Sequence, residues 1–228
     1  MSVSGLCWDV EIPGRASSSF ESARRRGFLT VETEEHGSER LGIPVAVART
    51  MKARRESGEL SPASRAELLF LLNEQSRRTA WSRIAKLVNR RDYSAHDLSE
   101  KLSDDGYGQQ VRQEMVARAI DCGLVDDRRF GSAYARAKAA SGWGIMRISQ
   151  ELARHGVDAE SLPGWPDEYV DGQSEDERAY QLAIARRLPD KNAYEKLVRY
   201  LCSRGFGLPC AKRVARRVID ESELSFEQ

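Results

Sequence analysis

Lys212, Arg213, Arg216 and Arg217 occupy positions i, i+1, i+4 and i+5, so a helix through them carries all four cations on one side. Guanidinium and ammonium groups so placed do one kind of chemistry, charge-assisted hydrogen bonding to phosphates or carboxylates. A second set surrounds an aromatic ring. Arg129, Arg136, Lys138 and Arg147 flank the turn Gly142-Trp143-Gly144, and a large aromatic among arginines is the usual composition of a binding hot spot. For that set the packing of Trp143 into a seam between neighbouring units is an equal reading.

Covalent and acid–base chemistry have no comparable constellation. The chain has no G-x-x-x-x-G-K-S/T phosphate loop, no G-x-S-x-G elbow and no H-E-x-x-H pair. Asp104-Asp105 and Asp126-Asp127 fall at expected helix ends, where capping accounts for carboxylates. Cys7, Cys122, Cys202 and Cys210 form no C-x-x-C pair, and His36, His96 and His155 do not cluster with them. Neither a disulfide framework nor a metal site nor a cofactor is expected. The chain reads as a binding protein, not an enzyme.

The 228 residues are 40% hydrophobic and 31% charged, the composition of a globular protein able to build a core. No stretch approaches the roughly 20 consecutive apolar residues of a bilayer span, and no signal-peptide pattern opens the chain, so a cytoplasmic monomer with no membrane partner is expected. The net charge of +1 hides its distribution. Between Arg186 and Arg217 ten basic residues face only Asp190 and Glu195, a local excess of +8. Such an excess can attract nucleic acid or an acidic protein surface, and a solvated helix face is the equal reading.

What must position these side chains is a repeat. Leu98, Leu102, Gly106 and Tyr107 recur as Ile148, Leu152, Gly156 and Val157, and again as Leu197, Leu201, Gly205 and Phe206, at offsets of 50 and 49. Apolar residues four apart, closed by glycine and a further apolar residue, describe a helix that ends in a left-handed cap and packs its next residue back on itself. The spacing predicts an all-α chain of three tandem three-helix repeats, over 77–125, 126–174 and 175–228, forming an elongated, curved array.

The helices of the first repeat are expected at 77–90, 94–105 and 109–122, with Ser94 as N-cap. Those of the third are expected at about 175–188, 192–204 and 208–221, after the linker Asp171-Gly172-Gln173-Ser174. In the second, helices at 127–141 and 145–156 precede Leu162-Pro163-Gly164-Trp165-Pro166, whose prolines leave room for no more than a short helix from Pro166 to Val170. A leading helix over 61–76 is expected to start at Ser61-Pro62. Residues 1–60, with runs such as Ser17-Ser18-Ser19 and Arg24-Arg25-Arg26, are read as largely disordered, with Ile43 to Val47 as a short strand or docking peptide.

An offset of 99 aligns the third helices of the outer repeats. The positions read as inward, Met115, Ala119 and Ile120, map to Val214, Val218 and Ile219, apolar in both copies. The outward Gln113, Glu114, Ala117 and Arg118 become Lys212, Arg213, Arg216 and Arg217. Packing does not require that change, which favours a partner bearing phosphates or carboxylates.

The segment Gly123 to Phe130, then Arg136, Gly142-x-Gly144-x-x-Arg147-Ile148 and Glu151-Leu152-x-x-x-Gly156, resembles the central signature of the RecX regulatory proteins. So does Ser94-x-x-x-Leu98-x-x-Lys101-Leu102 with Gly106-Tyr107. The resemblance spans about 77–222 and departs from the family at Gly131, where alanine is usual. It implies tandem three-helix repeats and no catalytic residues. It also implies binding along the groove of the RecA filament, with damping of its ATPase, strand-exchange and coprotease activities in DNA repair and the SOS response. Direct binding of single- or double-stranded DNA through the basic C-terminal repeat, or a generic interaction scaffold, are the alternatives that the residues leave open.

Overall fold

The computed structural model describes residues 6–12, 26–33, 37–170, 174–186 and 192–226. Ser17 to Ser19, Arg24, Arg25, the linker positions Asp171 to Gln173, and Arg187, Asp190 and Lys191 lie outside the described residues. The chain divides into two compact units, Met1–Val125 and Asp126–Gln228.

The first unit opens with three antiparallel strands in the order β1 (Cys7–Glu11), β2 (Arg26–Thr33), β3 (Gly37–Pro44), followed by helix α1 (Val45–Glu56). Trp8 pairs with Val31 and Val10 with Leu29. These four apolar side chains are buried in one cluster with Val47, Ala48 and Met51 of α1. The described parts of residues 1–60 are therefore folded, which corrects the expectation of disorder and adds a small sheet to an otherwise helical chain. Along β1 and β2 buried positions alternate with half-buried or exposed ones, and runs of five and eight residues carry the period of two too briefly to stand out from their polar surroundings. Ile43 and Pro44 end β3, whereas Val45 to Val47 begin α1.

Helix α2 (Arg65–Val88) is a single 24-residue helix where a leading helix and a separate first repeat helix were expected. It starts three residues after Pro62. The Ser64 hydroxyl accepts the Glu67 amide, and the Glu67 carboxylate in turn accepts the Ala63 amide at 2.8 Å, a reciprocal cap that Ser61 does not provide. Helices α3 (Ala95–Asp104) and α4 (Gln109–Asp121) complete the first triplet, with the Ser94 hydroxyl accepting the Asp97 amide at 3.0 Å.

In the second unit, α5 (Asp127–Ala140) and α6 (Ile145–Arg154) are followed by two single 3₁₀ turns, Ala159–Ser161 and Asp167–Tyr169, in place of a third helix. The prolines thus permit what the sequence allowed, a short turn within Pro166 to Val170. Helices α7 (Glu175–Ile184), α8 (Ala193–Arg204) and α9 (Leu208–Phe226) form the last triplet.

The three copies of the helix-closing pattern have one geometry. Leu98, Leu102, Ile148, Leu152, Leu197 and Leu201 are each at most 2% exposed. Gly106, Gly156 and Gly205 take φ of +92°, +74° and +92°, which a side chain would make costly. The next amide then reaches back over the cap, from Tyr107 to the Leu102 carbonyl (3.0 Å), Val157 to Leu152 (2.9 Å) and Phe206 to Leu201 (3.1 Å). Gly131 also has a physical reason. A Cβ there would lie 2.9 Å from Val157 Cγ1 and 3.0 Å from Leu162 Cδ2, because the proline-broken segment brings Leu162 against α5.

Candidate interaction surface of the second and third repeats

The aromatic turn joins the two repeats of the second unit. The Gly144 amide donates to the Arg204 carbonyl at 2.8 Å, and a Cβ on Gly144 would stand 2.3 Å from the Gly205 oxygen, so the two backbones touch where both residues lack side chains. Arg147 donates to the Ser203 carbonyl at 2.7 Å while its guanidinium lies 4.0 Å from the Trp143 ring centroid. The Lys138 ammonium lies 4.5 Å from the same ring. Arg178 donates to the Trp143 carbonyl at 2.8 Å. Trp143 is half-buried among the apolar residues of repeat 2. Lys138, Trp143 and Arg147 thus serve the seam, and their cations remain at its rim.

Arg129 and Arg136 lie on the exposed side of α5. The Arg129 amide donates to the Asp126 carboxylate at 3.0 Å, and that cap holds Asp126 below its ordinary pKa of 3.8. The Arg136 guanidinium stands 5.1 Å from the Tyr169 ring centroid, and the Tyr169 hydroxyl shares a 3.0 Å hydrogen bond with Ser132.

All four basic residues of α9 are exposed, as are their counterparts on α4. Two of the four have structural work that repeat 1 shares. Arg213 makes a bidentate pair with Asp176 at 2.8 and 2.7 Å, and at the equivalent positions 99 residues earlier Glu114 pairs with Arg77 at 2.8 Å, the same bridge with its charges exchanged. Arg217 lies 3.8 Å from the Tyr180 ring centroid, as Arg118 lies 4.3 Å from that of Trp81. Arg217 also pairs with Glu221 at 2.9 Å and Glu177 at 3.5 Å. What distinguishes the third repeat is therefore Lys212 and Arg216, which replace Gln113 and Ala117. The reading of Ile120 as inward is corrected: it is 48% exposed, while its counterpart Ile219 is packed partly against the core. Helix α4 turns its stripe through Val111, Met115 and Ala119 to the core, and Ile120 falls beside that stripe.

Sequence reading missed a groove of about 300 Å³ beside the seam, whose lining includes Met146, Arg147, Glu151, Arg154, Cys202 and Phe206. Met146 is 55% exposed, and Leu208, at the start of α9, is 51% exposed. The repeat register held the signal. Met146 stands where the other copies have His96 and Glu195, and Leu208 where repeat 1 has Gln109. Among the described residues no group of three or more His, Cys, Asp or Glu could hold a metal ion, and no helix is long and apolar enough to cross a membrane.

Tandem helical repeats closed by one recurring glycine cap define a helical-repeat protein. The family model for RecX, second three-helix domain, matches residues 126–161. The chain is 30% identical over 135 residues to the regulatory protein RecX of Mannheimia succiniciproducens, covering 56% of this chain and 86% of that one. It is 29% identical over 143 residues to the regulatory protein RecX of Stenotrophomonas maltophilia strain R551-3, covering 60% and 86%. The chain belongs to the RecX family of regulatory proteins. A crystal structure of a regulatory protein RecX shares the fold with a TM-score of 0.53 at 14% identity, over 92% of this chain and 98% of that one.

Proposed function

We propose that this chain binds the RecA nucleoprotein filament and restrains its ATPase, recombinase and coprotease activities in DNA repair and the SOS response. Membership of the RecX family carries the reading, and the basic surface of repeats 2 and 3 supplies the contacts. Arg129, Arg136, Lys138, Trp143, Arg147, Lys212, Arg213, Arg216 and Arg217 form that surface. Among them Lys212 and Arg216 are offered outward without an equivalent in repeat 1. The action is steric and electrostatic. A monomer seated in the filament groove, in the cytoplasm, obstructs subunit addition or entry of a duplex, and no bond is made or broken by the chain.

The test is DNA-dependent ATP hydrolysis by RecA assembled on single-stranded DNA. The reading expects the rate to fall as the chain is added, and an unchanged rate at saturation contradicts it. Direct DNA binding is a second reading, favoured by the outward Lys212 and Arg216. It requires an affinity for bare DNA that falls steeply with salt, by about one logarithmic unit per phosphate neutralised for each tenfold rise in salt. No mobility shift at low salt would remove it.

A further inference from the structure

Subtracting repeat 1 from repeat 3 leaves one stripe of α9 unexplained by packing. Residues 208, 212 and 216 lie one turn apart on a single exposed face, and Gln109, Gln113 and Ala117 of repeat 1 become Leu208, Lys212 and Arg216. Asp220, the next residue along, matches Asp121 and so adds no difference. The stripe does not stand alone. Gly207, beside Leu208, has the Met146 sulfur 3.9 Å from where its Cβ would be, so the second exposed apolar side chain meets the start of α9 from the neighbouring repeat. Beyond Met146 the groove runs between α6 and α8 and is lined by Arg147 and Arg154, with Glu151 its one acidic residue, paired to Arg154 at 2.6 Å.

We infer that Met146 and Leu208 form the apolar anchor of a docking surface, bordered by Lys212 and Arg216 on one side and Arg147 and Arg154 on the other. The occupant is an acidic protein segment that inserts an apolar side chain between its carboxylates. The surface has the composition of an interface, an apolar centre with a charged rim. Its cations outnumber its carboxylates, which fits an acidic segment. A phosphate backbone offers nothing to cover two large exposed apolar groups, so a protein is favoured over nucleic acid. The inference rests on the proposed function and assigns this surface to the protein component of the filament.

Each substitution in the two double variants installs a residue that another copy of the repeat already carries at the matching exposed position. One full-length variant combines Met146→Glu with Leu208→Gln; a second combines Lys212→Gln with Arg216→Ala; Phe70→Ser, at an exposed position of α2, is the control. Helical circular dichroism and the melting temperature establish that each is folded. In the hydrolysis assay each double variant is expected to lose about thirtyfold in potency, the size of a hot-spot truncation, while the control matches wild type.

A wild-type chain that leaves hydrolysis unchanged overturns both the regulatory reading and this inference. A wild-type chain that slows hydrolysis, with an apolar double variant that slows it equally, overturns this inference alone. Two further outcomes also overturn it. Parallel loss of affinity for a bare single-stranded oligonucleotide assigns the surface to nucleic acid. Wild-type self-association, abolished by the apolar double variant in sedimentation, assigns it to a second copy.

Discussion

Asp176 accepts both Arg213 nitrogens and a hydrogen bond from the Cys210 thiol, and these hold its carboxyl below the ordinary 3.8. Tyr180 and Arg217 likewise lower Glu221 from 4.5. A carboxylate whose native pKa is depressed adds stability that is full above its unfolded value and is lost as pH falls through the lower native value. Thermal melts are therefore expected to show this contribution intact at neutral pH and lost below about pH 4, with a shallower acid slope in Asp176→Asn. An equally steep slope would dissociate the pair from acid stability. Burial, and then Asp176, pushes the Cys210 thiol up to about 12. Alkylation of the native chain by iodoacetamide, followed by mass spectrometry, is expected to modify the exposed Cys7, Cys122 and Cys202 and to spare Cys210 until denaturant is added. At this scale the sequence showed which residues are cationic. It could not show which are already paired, because Arg213 and Asp176 meet only through the packing of α7 on α9.

Arg77–Glu114 and Asp176–Arg213 place one bridge between the first and third helices of two triplets, with opposite polarity. Glu114→Arg alone sets two guanidinium groups together and is expected to destabilise by about 0.2 to 1 kcal/mol, as exposed pairs do. Adding Arg77→Asp restores the loss by recreating the third repeat's arrangement; a double-mutant cycle in urea measures both. At the seam, Gly144→Ala drives a methyl into the Gly205 carbonyl. The expected cost is about 1 to 3 kcal/mol by overpacking, read as a lower urea midpoint. The triplets were legible because glycine and a back-packing apolar residue punctuate each copy at a fixed interval. The sheet was not, since Trp8, Val10, Leu29 and Val31 sit in strands of only five and eight residues, where Phe28 beside Leu29 breaks the alternation. The start of α2 was also missed, because Ser61-Pro62 offered a cap that the Ser64 and Glu67 exchange displaced.

Across the whole molecule, repetition is its own control. A side chain that recurs with the same contact in two copies is explained by folding, and one that breaks the pattern on an exposed face calls for a partner. By that rule the Arg213 and Arg217 contacts serve the scaffold as well as the basic surface, and the unmatched Met146, Leu208, Lys212 and Arg216 are the ones the proposed docking surface draws on. The basic half of that surface was visible in the sequence as charge. The apolar half was not, because an exposed methionine or leucine looks like core until burial is known. Co-sedimentation tests the central claim most directly, with the full-length chain mixed with RecA filaments assembled on single-stranded DNA or with the DNA alone. The account predicts that the chain pellets with the filaments and stays in solution with the bare DNA. A chain that remains in the supernatant with filaments, or that pellets equally with DNA alone, would contradict it.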